Sequence, residues 1–385
     1  MKILYLISCF GHGRGGHFYS LRTTAEEMSK EADVVVASVG TGKSPVLSKL
    51  DNYIPLIESF PSPRTLLRLM RVVKRDKVDV IHSFDVSSYL YARLVSFFSG
   101  VPVLLSKCGG PKPKRYFPLV TNLVVFSEED FDFFQKKGVK NISLIPNRVS
   151  EIECNEEKVK ALKVAIGNDY ITFLRISRFS KHHEKSILGA VELVGRLVED
   201  GYKSKLILIG SVQDQAVYER LVGLNNKNLM ILSSDEYTIN SSEVIDVAEY
   251  VIGTGRGAME AAIKGKILLS PVNSVNLPVL VDEKKITSLF RANFSDRAEI
   301  ANLTEGDVYE EIVSVIKDRD RNRALSAYLK KFSEENFEIR SVRKRYIELY
   351  RNCRACDIQV VDTFKHGLAV LKQYMASKKT KENSI

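Results

Sequence analysis

The sequence predicts an α/β protein built from two doubly wound parallel-sheet halves. Three observations carry that expectation. Short apolar runs alternate with helical patterns from the first residues onward, the rhythm of βαβ units. The alternation restarts after a polar, charged stretch at 150–158. The chain has 385 residues, too many for one ordinary domain.

The elements follow in order. Residues 2–8 read as a strand, 19–29 as a helix, 33–38 as a strand, 65–75 as a helix and 80–83 as a strand. Buried strands at 101–106, 123–126 and 143–145 complete the first series. The second series has strands at 171–176, 205–209, 228–232, 250–252 and 267–269, with helices such as 186–198 and 214–224 between them. A helical, charged stretch covers about 307–374, and 377–385 reads as a frayed tail. The resulting division is 1–150, 151–335, a helical segment 336–376 and the tail 377–385.

Composition excludes several classes. With 44% hydrophobic and 27% charged residues there is material for two packed cores, so disorder is not expected. The longest apolar run, 89–105, is broken by Arg93 and by Gly100-Val101-Pro102, so no membrane span is expected. The N-terminus reads as a first strand rather than a signal peptide, which places the protein in the cytoplasm. Five cysteines (Cys9, Cys108, Cys154, Cys353, Cys356) fit a reducing compartment. Cys353 and Cys356 form a Cys-x-x-Cys without a second ligand pair at zinc spacing, and read as two small helix residues. His182 and His183 read as loop residues, and no metal site is expected. Net charge is +10, and residues 1–150 hold 21 Lys/Arg against 13 Asp/Glu, which points to an anionic partner for that half.

Three glycine clusters compete for a phosphate. Gly11, Gly13 and Gly16 satisfy G-x-G-x-x-G after a strand, the dinucleotide fingerprint. The second strand, however, ends Ala37-Ser38-Val39-Gly40 with no carboxylate for a ribose. Residues 37–44 miss a P-loop because Ala37 replaces its first glycine, and read as a surface turn. The third cluster is the most informative: strand Tyr250-Val251-Ile252, a turn with Gly253, Gly255 and Gly257, then a helix with Glu260 that ends near Gly265. Such a turn admits phosphate close to backbone N–H groups at a helix N-terminus. An acid in the first turns of the helix is placed to accept hydrogen bonds from sugar hydroxyls, though an acid there also simply suits the helix dipole.

The order of this third cluster resembles the donor-binding segment of family 4 glycosyltransferases (glycosyl transferases group 1), Glu-x-Phe-Gly-x-x-x-x-Glu-Ala-x-x-x-Gly. Gly255, Glu260, Ala261 and Gly265 match, and Ile252 stands where the first Glu would be. Further pieces resemble the same family: Asp79 to His82, with Phe84 at a usual second His; Val124 to Glu128; Ile145-Pro146-Asn147, with Arg148 for the usual Gly; Ile176-Ser177-Arg178 followed by Lys185, with Lys181 competing; and Leu208-Ile209-Gly210. Gly15-Gly16-His17 fits the family's glycine loop after the first strand.

The resemblance implies the GT-B fold: two Rossmann-like domains, an interdomain cleft and a C-terminal helix crossing back. It implies a retaining enzyme of the hexosyltransferase type (EC 2.4 class). Such an enzyme moves a sugar from a nucleotide-diphosphate donor to a hydroxyl of a glycan or lipid-linked acceptor, in cell-envelope polysaccharide synthesis. Implied donor contacts are Gly15, Gly16, Arg178, Lys185, Gly210, Gly253, Gly255, Arg256, Gly257 and Glu260. His82 and Glu260 would act near the reacting sugar. Acceptor contacts would come from His17 and from the basic loop 107–115 through Lys107, Gly109 and Gly110. No cofactor or metal is implied. A nucleotide-sugar epimerase and an inactive nucleotide-sugar-binding protein stay open as alternatives.

Arg64, Arg68, Arg71 and Arg75 recur at four, three and four residues and form one helical stripe. The plainer reading is the solvated face of a sheet-covering helix. The functional one is contact with anionic lipid headgroups, where a polyprenyl-phosphate acceptor would lie, making the protein peripheral on the inner face of the cell membrane. Without aromatic interleaving, nucleic acid is not the expected partner.

Overall fold

The structure, a computed structural model, describes residues 1–113, 116–167, 169–355 and 359–382. It divides into two compact units, Met1–Arg148 together with the chain from Ile339 onward, and Val149–Glu338. Each unit holds one sheet, and two parallel-sheet α/β halves are the fold class the sequence predicts.

The first sheet has seven parallel strands: β1 (Lys2–Ser8), β2 (Asp33–Gly40), β3 (Tyr53–Ile57), β4 (Val80–Ser83), β5 (Val103–Lys107), β6 (Asn122–Val125) and β7 (Asn141–Leu144). Their order is 3-2-1-4-5-6-7, reversing at β1. Alternation along the strands sorts the core into two layers. Leu4, Leu6, Val35 and Ala37 face one layer, and Ile3, Tyr5, Ile7, Val34 and Val36 face the other. The first layer is covered by helices Pro63–Asp76 and Val86–Ser99 and by Val370 of the helix Val360–Glu382. The second is covered by Gly16–Met28 and Arg343–Arg351.

Strand β3 is absent from the sequence expectation for a physical reason. Pro55 interrupts its pattern and only Leu56 is fully buried, which suits an edge strand. The Arg343 guanidinium binds Glu27 at 2.5 Å, and Arg93 of Val86–Ser99 binds Asp362 at 2.8 Å, so residues beyond 339 complete the first unit. The last helix is Val360–Glu382. Cys353 follows a helix instead of lying in one, while Cys356, Lys114 and Arg115 fall outside the described residues.

The second sheet comprises β8 (Ile171–Ile176), β9 (Ser204–Ile209), β10 (Leu229–Leu232), β11 (Tyr250–Ile252), β12 (Ile267–Ser270) and β13 (Val279–Leu280), in the order 10-9-8-11-12-13. The short β13 pairs antiparallel with β12, so this sheet is not wholly parallel. The chain enters and leaves the unit side by side: Val149 donates its N–H to the Phe337 carbonyl at 3.2 Å.

Candidate functional site

Strand order in the second unit reverses at β8, with β9 on one side and β11 on the other. Loops at the carboxyl ends of such strands are where open α/β sheets hold ligands. Register fixes which loops share that edge. Ile176 pairs with Ile209, and Arg175 with both Leu208 and Ile252. The chain therefore leaves the sheet at nearly one level at Ser177, Gly210 and Gly253, and the segments named by the sequence are brought together there.

Two of these glycines are required by close approach. A Cβ on Gly210 would lie 1.7 Å from the Ser177 carbonyl oxygen. A Cβ on Gly253 would lie 2.7 Å from the Cα of Ala258, where the helix Gly255–Ile263 folds back over its strand. Gly255 adopts a positive φ of 52°. The expectation that these glycine N–H groups face a phosphate is corrected. Gly253 donates to the Leu269 carbonyl at 2.8 Å, Gly255 to Phe294 at 3.2 Å and Gly257 to Thr254 at 3.1 Å. Their use is compactness: they let the turn close and bring the helix N-terminus to the sheet edge. Thr254 occupies the N-cap position without a side-chain cap bond.

Glu260 lies one turn in and is buried, with Oε1 taking the Arg256 Nε at 2.6 Å. The i,i+4 spacing brings the pair together, so this carboxylate is already engaged on one oxygen.

Arg178 is exposed, and its Nη2 lies 3.4 Å from the Nε2 of His183. Burial, followed by the nearby cations Arg178 and Arg175, pushes the His183 pKa down to about 4. The ring is thus neutral at physiological pH and free of charge repulsion with its arginine neighbour. His182 and His183 lie in the first turn of the helix Lys181–Glu199, not in a loop, because that helix begins five residues before the sequence expectation. Lys181 and Lys185 are exposed on it at i,i+4, hence on one face.

Arg175 escaped the sequence reading, although a charged residue between Leu174 and Ile176 in an apolar strand was the available signal. It is fully buried. Its Nη1 donates to the Ile252 carbonyl at 3.0 Å, and its Nη2 to Ser186 Oγ at 2.9 Å. One side chain thus ties the last residue before the glycine turn to the helix that follows Arg178. Its Nε has no hydrogen-bond partner among the described residues. Desolvation lowers its pKa to about 10, so it stays charged. Substituting Arg175→Met is expected to cost about 1–3 kcal/mol, since the Ile252 carbonyl loses its partner. Denaturant unfolding checks the cost, and an unchanged midpoint would show the tie to be dispensable.

In the first unit, Gly15 is the N-cap of Gly16–Met28, so Gly16 and His17 occupy a first helical turn. The His17 ring folds back over Gly15, whose added Cβ would sit 2.7 Å from it. His82, expected near the reacting sugar, lies instead in the interior: it is fully buried, with Nδ1 at 2.9 Å from Tyr350 Oη and Nε2 at 2.8 Å from Ser106 Oγ. Both ring nitrogens are engaged, which leaves none for a sugar. Lys107 is likewise buried rather than open. Its Nζ binds Asp130 at 2.9 Å and donates to the carbonyls of Gly109 at 2.8 Å and Gly110 at 3.2 Å. It shapes the loop that positive-φ Gly109 and Gly110 allow to turn. Arg64, Arg68, Arg71 and Arg75 are all exposed on Pro63–Asp76. Arg68 lies 3.7 Å from Glu58, and Arg75 binds its neighbour Asp76 at 2.8 Å.

Among the described residues, no cluster of three or more His, Cys, Asp or Glu side chains is set to hold a metal, and no helix is long and apolar enough to cross a membrane.

No family model matches the chain, and no curated protein matches it significantly. Solved structures do. A glycosyltransferase from Rickettsia africae superposes with a TM-score of 0.64 at 14% identity, covering 91% of this chain and 98% of that one. Anabaena HepE, solved in complex with UDP, gives 0.65 at 14% identity over 90% and 99%. A UDP-GlcNAc 2-epimerase from Neisseria meningitidis bound to UDP-GlcNAc gives 0.59 at 13% identity over 91% and 99%. At these identities the likeness establishes the shared GT-B fold.

Proposed function

We propose that this protein is a retaining glycosyltransferase of the family 4 type. It moves a sugar from a nucleotide-diphosphate donor to a hydroxyl of a glycan or lipid-linked acceptor in cell-envelope polysaccharide synthesis. One observation carries the reading: Arg178, Gly210 and the Gly253–Glu260 turn leave one sheet edge together, at the strand where the order reverses. HepE, with the same fold, holds UDP and UDP-glucose.

The chemistry assigns roles. A nucleoside diphosphate leaves with its charge still developing. Arg178 offers two parallel N–H donors to its oxygens, and Lys185, with Lys181 on the same helix face, adds point charge. The N-terminus of Gly255–Ile263 adds its partial charge to the same anion. Glu260, oriented by Arg256, accepts from sugar hydroxyls through its remaining oxygen. His17 is a proposed acceptor contact. The Arg64–Arg75 stripe is proposed to meet anionic lipid headgroups. No metal or cofactor is invoked.

Epimerization is the second reading, favoured by the fold neighbour from Neisseria meningitidis, a UDP-GlcNAc 2-epimerase bound to UDP-GlcNAc. An epimerase turns over donor alone, so product formed without acceptor decides for it.

The direct test is thermal-shift screening against UDP-, GDP-, dTDP- and ADP-sugars. Stabilisation is expected from one nucleotide series, with at least tenfold weaker binding in Arg178→Ala and Glu260→Ala. That corresponds to about 1.4 kcal/mol or more per lost contact. Undiminished stabilisation in both variants would remove the donor-site assignment.

A further inference from the structure

Assigning the charges to the folded units sharpens an asymmetry that linear position hides. The first unit, including the chain from Ile339 onward, holds 32 Lys and Arg against 17 Asp and Glu, a net +15. The second holds 25 against 30, a net −5. The positive charge of the chain therefore belongs to one unit.

That unit also exposes large apolar side chains where its own core does not need them. In the helix Val360–Glu382, Asp362, His366 and Val370 are buried at intervals of four. Positions two residues earlier point about 200° away round a helix. Val360 (76% exposed), Phe364 (68%) and Leu368 (43%) occupy them. Val361 is exposed beside them. At the end of Val86–Ser99, Phe97 and Phe98 are 60% and 61% exposed, their rings in edge contact.

Direct side-chain contacts join these groups into one surface. Arg93 binds Asp362, while His366 Nε2 lies 2.8 Å from the Val86 carbonyl, so the two helices run antiparallel. Phe97 lies one turn beyond Arg93, at the end where Val360 and Val361 begin their helix. The helix Pro63–Asp76, with its arginine stripe, covers the same sheet face.

We infer that the outer surface of these three helices is a bilayer-docking face, in which Phe97, Phe98 and the Val360–Leu368 stripe enter the headgroup boundary while the arginine stripe neutralises anionic lipid. Charge complementarity selects this occupant over a second copy of the chain: two faces of a +15 unit repel, whereas an anionic leaflet attracts each Lys or Arg near it. Amphipathic faces of this kind bind through apolar burial and electrostatic attraction together. The inference extends the arginine-stripe reading and does not rest on sugar transfer. Donor binding by thermal shift reports separately on that.

The full chain contains no tryptophan, so Phe98→Trp and Phe364→Trp each give a single fluorescent probe. Both are expected to shift to the blue on vesicles containing phosphatidylglycerol and to stay unshifted on phosphatidylcholine alone. Co-sedimentation with the anionic vesicles should fall several-fold in Phe97→Ser/Phe98→Ser and in Val361→Ser/Phe364→Ser, and with added salt in all forms. These positions are exposed, so folding is preserved; donor-induced stabilisation equal to wild type verifies it. Binding undiminished by the serine variants, or vesicle binding with both probes unshifted, would overturn the inference. So would a vesicle-free dimer that the same substitutions dissolve, since the face would then join two copies.

Discussion

Acidification is expected to remove roughly 3–4 kcal/mol of stability between about pH 6.5 and pH 4, through His82. The ring is wholly enclosed, and desolvation lowers its pKa from 6.5 to about 3. The unfolded chain takes up this proton below its ordinary value, while the folded chain refuses it until far lower. The stability is therefore complete above pH 6.5 and drains as pH falls toward the folded value. Each unit of pH in that window is worth about 1.4 kcal/mol, a large share of a typical domain's margin. His366, lowered to about 4 by burial, adds a smaller loss of the same sign. Urea unfolding at several pH values, compared with His82→Gln, tests the assignment. The variant should show a clearly flatter decline. Parallel curves would mean that other groups carry the acid sensitivity.

Gly210→Ala should be comparably damaging, at about 3 kcal/mol, and should also weaken donor binding. The added methyl would overlap a backbone oxygen at 1.7 Å rather than the end of a mobile side chain. The strand-end segment has to move, at a cost typical of severe overpacking. What moves is Ser177, the neighbour of Arg178, so the proposed diphosphate contact is displaced as well. Gly195→Ala, inside the helix Lys181–Glu199 and outside the proposed donor site, is the matched control. Nothing lies within 4 Å of its added Cβ and its φ is not positive, so helix propensity should raise stability by about 0.5–1 kcal/mol. Paired melting curves and nucleotide titrations separate the two. Equal stability of both variants would show that the close approach at Gly210 relaxes without cost.

The framework was legible because buried parallel strands are written as continuous apolar runs, and β8 to β12 announce themselves that way. Helix starts were less so. The positions from Gly16 and from Lys181 carry polar or glycine residues that local pattern assigns to loops, although tertiary placement makes them helical. The site was legible where it depends on backbone crowding: Gly210 and Gly253 stand where no side chain fits. It was misread where it depends on partners far along the chain. Nothing near His82 announces Tyr350, and nothing near Lys107 announces Asp130, so two enclosed side chains looked available. Arg175 was overlooked for the converse reason: its partners, Ile252 and Ser186, give its charge a place inside the core.

The first unit borrows its last helices from beyond residue 338, and this imposes an order on biogenesis. During synthesis the second unit, one unbroken segment, emerges complete while the seven-stranded sheet still awaits Tyr346, Tyr350 and Val370. Domains generally fold as units as they leave the ribosome. Here the part made first must wait for the part made last, its apolar flank bare to chaperones until the closing helices arrive.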